Sequence, residues 1–225
     1  MVDDVVLSAP LFAGIDPDAA KALLASMSRV DLGRGQVLFH EGDRGDRLYV
    51  ISRGKVKLGR RAPDGRENLL SVLGPGEMFG ELSIFDPGPR TATATAVGDA
   101  RLLELSQDEL VTWVERYPAV AKHLLAALAR RLRRTNEALA DLVFSDVPGR
   151  VAKALLDLST RFGQPVEDGV RVAHDLTQEE LAQLIGASRE TVNKALADFT
   201  ARGWLRRDGR AIVILDMARL ERRAR

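Results

Sequence analysis

Between residues 33 and 98 the chain alternates short apolar runs with glycines, and 12 of its 19 glycines fall there. They separate Gln36-Val37-Leu38-Phe39, Arg47-Leu48-Tyr49-Val50-Ile51, Lys55-Val56-Lys57-Leu58 and Asn68-Leu69-Leu70-Ser71-Val72-Leu73. Short β-capable runs punctuated by turn residues predict a compact antiparallel barrel or sandwich. Pro63-Asp64-Gly65-Arg66 predicts one of its turns, with Pro fixing φ and Gly accepting positive φ. Upstream, Pro17 to Met27 has a helical pattern, with Asp16 as N-cap and Pro17 in the first turn.

From Gln107 to about Ser145 glycine disappears and Ala, Leu, Arg and Glu take over, a long-helix composition. Within it Ala121, Leu125, Leu128, Leu132, Thr135, Leu139 and Leu142 recur at alternating spacings of four and three. This is the a/d seam of two helices packing knobs into holes, and the polar Thr135 interrupts it. Packing on the chain's own domain would also use such a stripe, but a parallel homodimer explains its length better. Leu124, Ala127 and Ala138 lie off the seam, free to face the barrel. Asp146-Val147-Pro148-Gly149 ends the helix and predicts a hinge. Beyond it, Arg150 to Phe162 predicts an amphipathic helix and Gly163 to Gly169 a loop.

Thr177, with Glu180 three residues on, forms a capping box at the start of a further helix. Gly186 suits a left-handed turn, and Ser188 caps a second helix beginning at Arg189. Leu181, Ile185, Val192 and Leu196 supply the shared core, and Ala182 lets the helices cross closely. The second helix projects Arg189, Glu190, Asn193 and Lys194. Arg pairs with guanine edges, Glu accepts from the cytosine amino group, and Lys reaches guanine or phosphate. Ser188 and Thr191 suit backbone phosphates beside the helix N-terminus. A hairpin follows, Arg206-Arg207-Asp208-Gly209-Arg210 between apolar runs, a wing offering Arg206, Arg207 and Arg210 to phosphates. The whole segment predicts binding to double-stranded DNA.

Charge supports this modestly. The net +1 conceals −2 over residues 1–149 and +3 over residues 150–225. The absence of cysteine excludes disulfides, iron–sulfur clusters and thiolate sites. His40, His123 and His174 are too scattered for a zinc motif, so no metal is expected. No His/Asp cluster suits hydrolysis, so the chain is not expected to be an enzyme. No apolar stretch is long enough to cross a membrane, and Asp3 and Asp4 stand where a secretory signal is basic. A cytoplasmic protein is the expectation. Trp113 and Trp204 are expected as core anchors. The arginine-rich tail Arg219–Arg225 reads as a solvated end, with DNA contact as the alternative.

A second chemistry lies in Phe79-Gly80-Glu81-Leu82-Ser83-Ile84-Phe85 and Arg90-Thr91. Gly80 allows close backbone approach, and Glu81 to Phe85 suits a short helical turn whose N–H groups face an anion. Arg90 offers a guanidinium fork to phosphate, Thr91 a hydroxyl, and Glu81 an acceptor for a ribose hydroxyl. A plain Glu81–Arg90 salt bridge would explain the same pair.

In order and motif the chain resembles the cyclic-AMP receptor protein branch of the Crp/Fnr transcription regulators, over nearly its whole length. The motifs that carry the likeness are Phe79 to Leu82 with Arg90-Thr91, and Arg130-Arg131-Leu132-Arg133-Arg134-Thr135-Asn136. Asp146-Val147-Pro148-Gly149-Arg150 and Gly186-Ala187-Ser188-Arg189-Glu190-Thr191-Val192 add to it. Ala62 to Asn68 and Phe85 to Arg90 are similar to actinobacterial members. The resemblance implies an α+β architecture: a cyclic-nucleotide-binding β-roll over 1–118, a dimerisation helix over 119–145, a hinge over 146–149, and a winged helix-turn-helix over 150–225. It implies that Gly80, Glu81, Arg90 and Thr91 hold the ribose and cyclic phosphate of cAMP, with Leu82 and Ser83 lining the cassette. Thr135, and Asn136 from a partner helix, would touch adenine. It further implies a homodimer on palindromic TGTGA-type half-sites, working with RNA polymerase at activated promoters. The chain departs from the family pattern at Thr91 and Asn136, where Ser is frequent, and at Lys194, where Arg is common. A DNA-binding regulator of this family largely independent of cAMP, or responding to another ligand, is the alternative, and the base preference stays open because Thr135 and Asn136 both donate and accept.

Overall fold

The computed structural model describes every residue except Met1, Pro63, Asp64 and Arg66, and only the backbone of residues 2–4. Apart from Gly65, the turn predicted at Pro63-Asp64-Gly65-Arg66 thus lies outside the described residues. The chain forms two compact units, Met1–Gly65 with Leu70–Arg133, and Arg66–Leu69 with Arg134–Arg225.

The first unit opens with α1 (Val2–Leu7), a 3-10 turn (Pro10–Phe12) and α2 (Pro17–Ser26). Eight strands follow: β1 (Ser28–Leu32), β2 (Val37–Phe39), β3 (Arg47–Arg53), β4 (Val56–Arg61), β5 (Glu67–Leu73, of which residues 70–73 belong to this unit), β6 (Met78–Phe79), β7 (Thr93–Ala96) and β8 (Ala100–Ser106). A one-turn helix, α3 (Leu82–Phe85), interrupts them, and α4 (Gln107–Arg116) closes the set. The strands make two four-stranded sheets, ordered β1-β8-β3-β6 and β2-β7-β4-β5. The predicted Asp16 cap is formed, its Oδ1 accepting from Ala19 N–H at 2.9 Å.

Strand β3 explains how the sandwich and the helices share one sheet. Its run Leu48-Tyr49-Val50-Ile51 is buried on both faces. Leu48 and Val50 join the core beneath the helices with Leu23, Leu110, Trp113 and Leu124. Tyr49 and Ile51 point the other way, into the inter-sheet core with Val56, Phe79 and Leu102. A continuous apolar run rather than an alternating one is what such a doubly covered strand needs.

The glycine-free stretch after Gln107 is two helices, because Pro118 follows the end of α4 and α5 (Ala119–Phe144) begins beyond it. Val120 and Leu124 bury against the first unit. Ala138, expected to face the barrel, is exposed.

The second unit contains α6 (Val147–Phe162), β9 (Gly163–Val166), β10 (Gly169–Val172), α7 (Gln178–Ile185), α8 (Arg189–Ala201), β11 (Leu205–Asp208), β12 (Ala211–Ile214) and α9 (Met217–Arg223). Its sheet runs β11-β12-β10-β9. Three sequence expectations change here. The stretch 146–149 is not an open linker: Asp146 caps α6, its Oδ1 accepting from Gly149 N–H at 2.9 Å, and Val147 to Gly149 form the first helical turn. Proline is well placed there, since a first-turn N–H would have no intrahelical partner. The expected loop 163–169 is the hairpin β9–β10, turned at Glu167-Asp168 before Gly169. The arginine-rich tail is mostly helical, with Leu220 fully buried.

Candidate functional site

In the first unit a narrow cleft, open to solvent, is lined by Phe39, Phe79, Gly80, Glu81, Leu82, Ser83, Arg90, Thr91 and Arg131, among others. The chain enters it from β6 through Gly80, at φ +85°, where an added Cβ would lie 2.8 Å from both Arg47 O and Arg90 Nη1. Only glycine fits. Helix α3 then forms as predicted, with the Ile84 and Phe85 amides both donating to Glu81 O. The Leu82 and Ser83 amides, first in the turn, have no partner within it.

Arg90 is 4% exposed. Its Nη1 donates to Gly80 O at 2.9 Å and Ser83 Oγ at 3.4 Å, and its Nη2 donates to Arg47 O at 2.9 Å. The guanidinium lies 4.2 Å from the centre of the Phe39 ring. None of these partners carries a negative charge, and Nε is buried with no hydrogen bond. Burial accordingly pulls the Arg90 pKa below that of an ordinary guanidinium. A buried cation fixed by carbonyls and an aromatic face, with the carboxylates of Asp46, Glu81 and Asp43 nearby but none bonded to it, can receive an anion.

Glu81 is 1% exposed, and its Oε1 accepts from Arg131 Nη1 at 2.8 Å. The Glu81–Arg90 salt bridge considered from the sequence is therefore not the arrangement: the carboxylate's ionic partner is Arg131, on α5. Its other oxygen, Oε2, is buried without a partner. That atom is placed to accept from a hydroxyl donor, as a ribose presents. Leu82 and Thr91 are exposed at the cleft, and Ser83 is buried behind Arg90.

Sequence reasoning missed Arg131 and Gly45 as site residues. An added Cβ on Gly45 would lie 2.3 Å from Ser83 Oγ and 2.9 Å from Arg90 Nε, so this glycine makes room for the guanidinium. Arg131 stood in a noted basic run, but its pairing with Glu81 spans 50 residues and no local pattern announces it. Thr135 and Asn136 are exposed on α5, in the second unit.

The second unit builds the predicted helix-turn-helix. Thr177 and Glu180 close a reciprocal capping box on α7. Gly186 ends that helix at φ +69° and ψ 43°, the left-handed conformation that glycine adopts without strain. Ser188 caps α8, its Oγ accepting from Thr191 N–H at 3.2 Å and lying 2.8 Å from Thr191 Oγ1. Val192, Leu196 and Phe199 bury the inner face of α8. Arg189, Glu190, Thr191 and Lys194 stand exposed on the outer face, with Lys194 Nζ 2.7 Å from Glu190 Oε1. Asn193, expected beside them, is half-buried, and its Oδ1 lacks a partner. One helical step from the buried Val192 turns it toward the core side.

The wing forms as β11–β12 about Gly209, at φ +60°. Arg206, Arg207 and Arg210 are all exposed. Arg206 is tied to Asp168 at 2.7 Å, and Arg171 holds the wing's Asp208 at 2.6 Å, which depresses the Asp208 pKa. Trp204 stacks on Phe199 with ring centres 5.2 Å apart.

Comparison with known proteins joins the two units. Residues 29–117 match the cyclic nucleotide-binding domain, and residues 149–223 the Crp-like helix-turn-helix domain. The chain is 58% identical, over the full length of both, to a CRP-like cAMP-activated global transcriptional regulator of Mycobacterium tuberculosis. The chain belongs to the Crp family of transcription regulators. It is also 38% identical to the cyclic AMP receptor protein of Thermus thermophilus, over 94% of this chain and 95% of that one. Among solved structures, the c-di-GMP responsive global regulator CLP of Xanthomonas campestris superposes with a TM-score of 0.74 at 28% identity, covering 88% of this regulator and 99% of CLP. The regulator is thus a DNA-binding protein and not an enzyme, and the β-roll, long helix and winged helix-turn-helix are the family's architecture. Among the described residues no group of His, Asp or Glu could hold a metal, and no helix is long and apolar enough to cross a membrane.

Proposed function

We propose that the regulator is a homodimeric transcription factor whose affinity for palindromic operator DNA is set by cAMP bound in the first unit. The carrying observation is the buried Arg90, with no carboxylate bonded to it and Nε unpartnered, in the same cleft as the unpartnered Glu81 Oε2. A cyclic phosphate and a ribose hydroxyl are the complementary pair. Arg90, Ser83, Thr91 and the first amides of α3 take the phosphate; Glu81, steadied by Arg131, takes the hydroxyl. Gly80 lets the backbone come close to the ligand.

The α5 seam supports the dimer: Leu125 is 66% exposed, Leu132 62%, Leu139 63% and Leu142 52%. Apolar residues at heptad spacing and so exposed call for a second copy. Thr135 and Asn136 on that helix would supply the adenine contacts. Two recognition helices would then enter successive major grooves about 34 Å apart, with Arg189, Glu190 and Lys194 on base edges of TGTGA-type half-sites. The wing arginines contact the phosphates, and the DNA-bound dimer meets RNA polymerase at activated promoters.

The test is operator affinity by fluorescence anisotropy at fixed salt, without nucleotide and with cAMP, cGMP or c-di-GMP. We expect cAMP to change affinity by about 5- to 150-fold, the usual range of allosteric coupling. Equal affinities in all four conditions would leave a DNA-binding regulator without nucleotide control. A response to another nucleotide alone would reassign the ligand.

A further inference from the structure

The arginine-rich C-terminal segment makes contacts that belong neither to the pocket nor to the recognition helix. It folds as α9, with Leu220 fully buried and Ala224 8% exposed, and α9 packs on α6. In its last turn, Arg223 Nη2 lies 2.5 Å from Asp146 Oδ2. Asp146 lies, with Ser145, between the end of α5 and the start of α6, and its other oxygen caps Gly149 N–H at 2.9 Å. One carboxylate is therefore divided between the first turn of α6 and a cation from the last helix of the chain. Gly149 is confined between them: an added Cβ would lie 3.0 Å from Asp146 Oδ1 and 3.3 Å from Arg223 Nη1.

The neighbouring contacts make this corner a joint. Arg150, one residue beyond Gly149, donates from Nη1 to Ser145 O at 2.8 Å, from Nε to Ile185 O at 3.1 Å and from Nη2 to Gly186 O at 3.2 Å. It ties the C-terminal end of α5 to the turn of the helix-turn-helix, satisfying carbonyls that a helix end leaves open. Lys153 on α6 pairs with Asp141 on α5. The last turns of α5, the start of α6 and the Gly186 turn thus share one polar cluster, and α9 closes it from 77 residues away in sequence.

We propose that Arg223 is a positioning residue for the recognition helix: by holding Asp146 it fixes the direction in which α6 leaves α5, and so lets nucleotide occupancy reach the DNA-reading surface. The inference rests on the cAMP-responsive function proposed above. Without this contact the joint samples several exit directions whatever the pocket contains, and operator affinity with and without nucleotide converges.

The experiment uses the full-length dimer as wild type, Arg223→Ala, Arg223→Gln and Arg223→Lys. Calorimetry reads cAMP affinity, anisotropy reads operator affinity with and without cAMP across a salt series, and thermal melting checks folding. The expected result is cAMP affinity within twofold of wild type, with the cAMP-dependent ratio of operator affinities at least threefold smaller for Ala and Gln and largely retained for Lys. An unchanged ratio overturns the proposal. If both operator affinities fall together and the salt slope drops by about one, Arg223 is a phosphate contact. If only the melting temperature falls, its role is structural. A wild-type ratio of one would instead sink the ligand-controlled reading itself, and this inference with it, in an arm that involves no variant.

Discussion

Arg90 in the first unit is 4% exposed, immobilised by carbonyls and an aromatic ring, and bonded to no carboxylate. The groups that would read DNA in the second unit are arranged in the opposite way. Lys194 and Glu190 have side chains 76% and 77% exposed and pair with each other, and Arg189 stands in solvent. The difference follows from the size of the partner. A small anion must be surrounded, so its receptor is assembled beforehand at a cost in desolvation that the ligand offsets. A duplex brings its own low-dielectric surface and high charge density, so the protein need only present a rigid face of mobile, solvated side chains. In the pocket the site therefore shows as unpartnered buried atoms, whereas on α8 it shows as a pattern of exposed residues on a well-capped helix.

Three measurements would break or sharpen this contrast. The largest effect is expected from Arg90→Ala. It should weaken cAMP binding at least roughly 100-fold, about 3 kcal/mol, because it removes a buried charge that the phosphate would neutralise. Nucleotide-free operator affinity should stay the same, since Arg90 lies in the unit that does not carry the recognition helix. Calorimetry with anisotropy checks both; unchanged cAMP affinity would mean that the anion receptor has been misread.

Next comes Arg189→Ala, which should leave cAMP affinity intact and cost roughly 5- to 150-fold in specific operator affinity, about 1–3 kcal/mol. The loss should be concentrated at one base pair of each half-site. A uniform loss across operator and random DNA would make Arg189 a phosphate contact rather than a base reader.

The smallest effect concerns pH. Hydrogen bonds from Arg223, and then from Gly149 N–H, hold the Asp146 pKa below the usual carboxylate range. A folded-state pKa below the unfolded one contributes stability that is complete above the unfolded value and is lost as pH falls through the folded value. Denaturation midpoints should therefore be flat near neutrality with respect to this group and decline below about pH 4. Asp146→Asn should be less stable at pH 7 and flatter in acid. An acid decline identical to wild type would show that Asp146 carries none of it.

Much of the chain was legible from local pattern. Glycine spacing marked the β-roll, the heptad stripe marked α5, and Thr177 with Glu180, Gly186 and Ser188 marked the helix-turn-helix to the residue. Gly80, Glu81 and Arg90 could be picked out because a tight turn, a one-turn helix and a nearby guanidinium lie within a short span. The misread segments failed for identifiable reasons. The 146–149 stretch does end α5, at Phe144, but it also supplies the first turn of α6, where a proline is tolerated because its missing N–H has no intrahelical partner to lose. Residues 163–169 have a loop-like pattern because the strands there, Gly163–Val166 and Gly169–Val172, are short and contain Pro165. Asp168-Gly169 is nevertheless a hairpin signal. The tail has the composition of a solvated end because its arginines outweigh its one leucine, Leu220, which is buried.

The sequence by itself determined the elements, their caps and the chemical types available to bind phosphate and DNA, because those depend on neighbours within one or two turns of chain. Only the tertiary structure decided which charges meet: that Glu81 is held by Arg131 and not Arg90, that Gly45 clears the space behind the guanidinium, and that Arg223 returns to Asp146. Such pairings join positions 45 to 77 residues apart. They are selected by burial and three-dimensional packing, which carry no signature in the local spacing of residues.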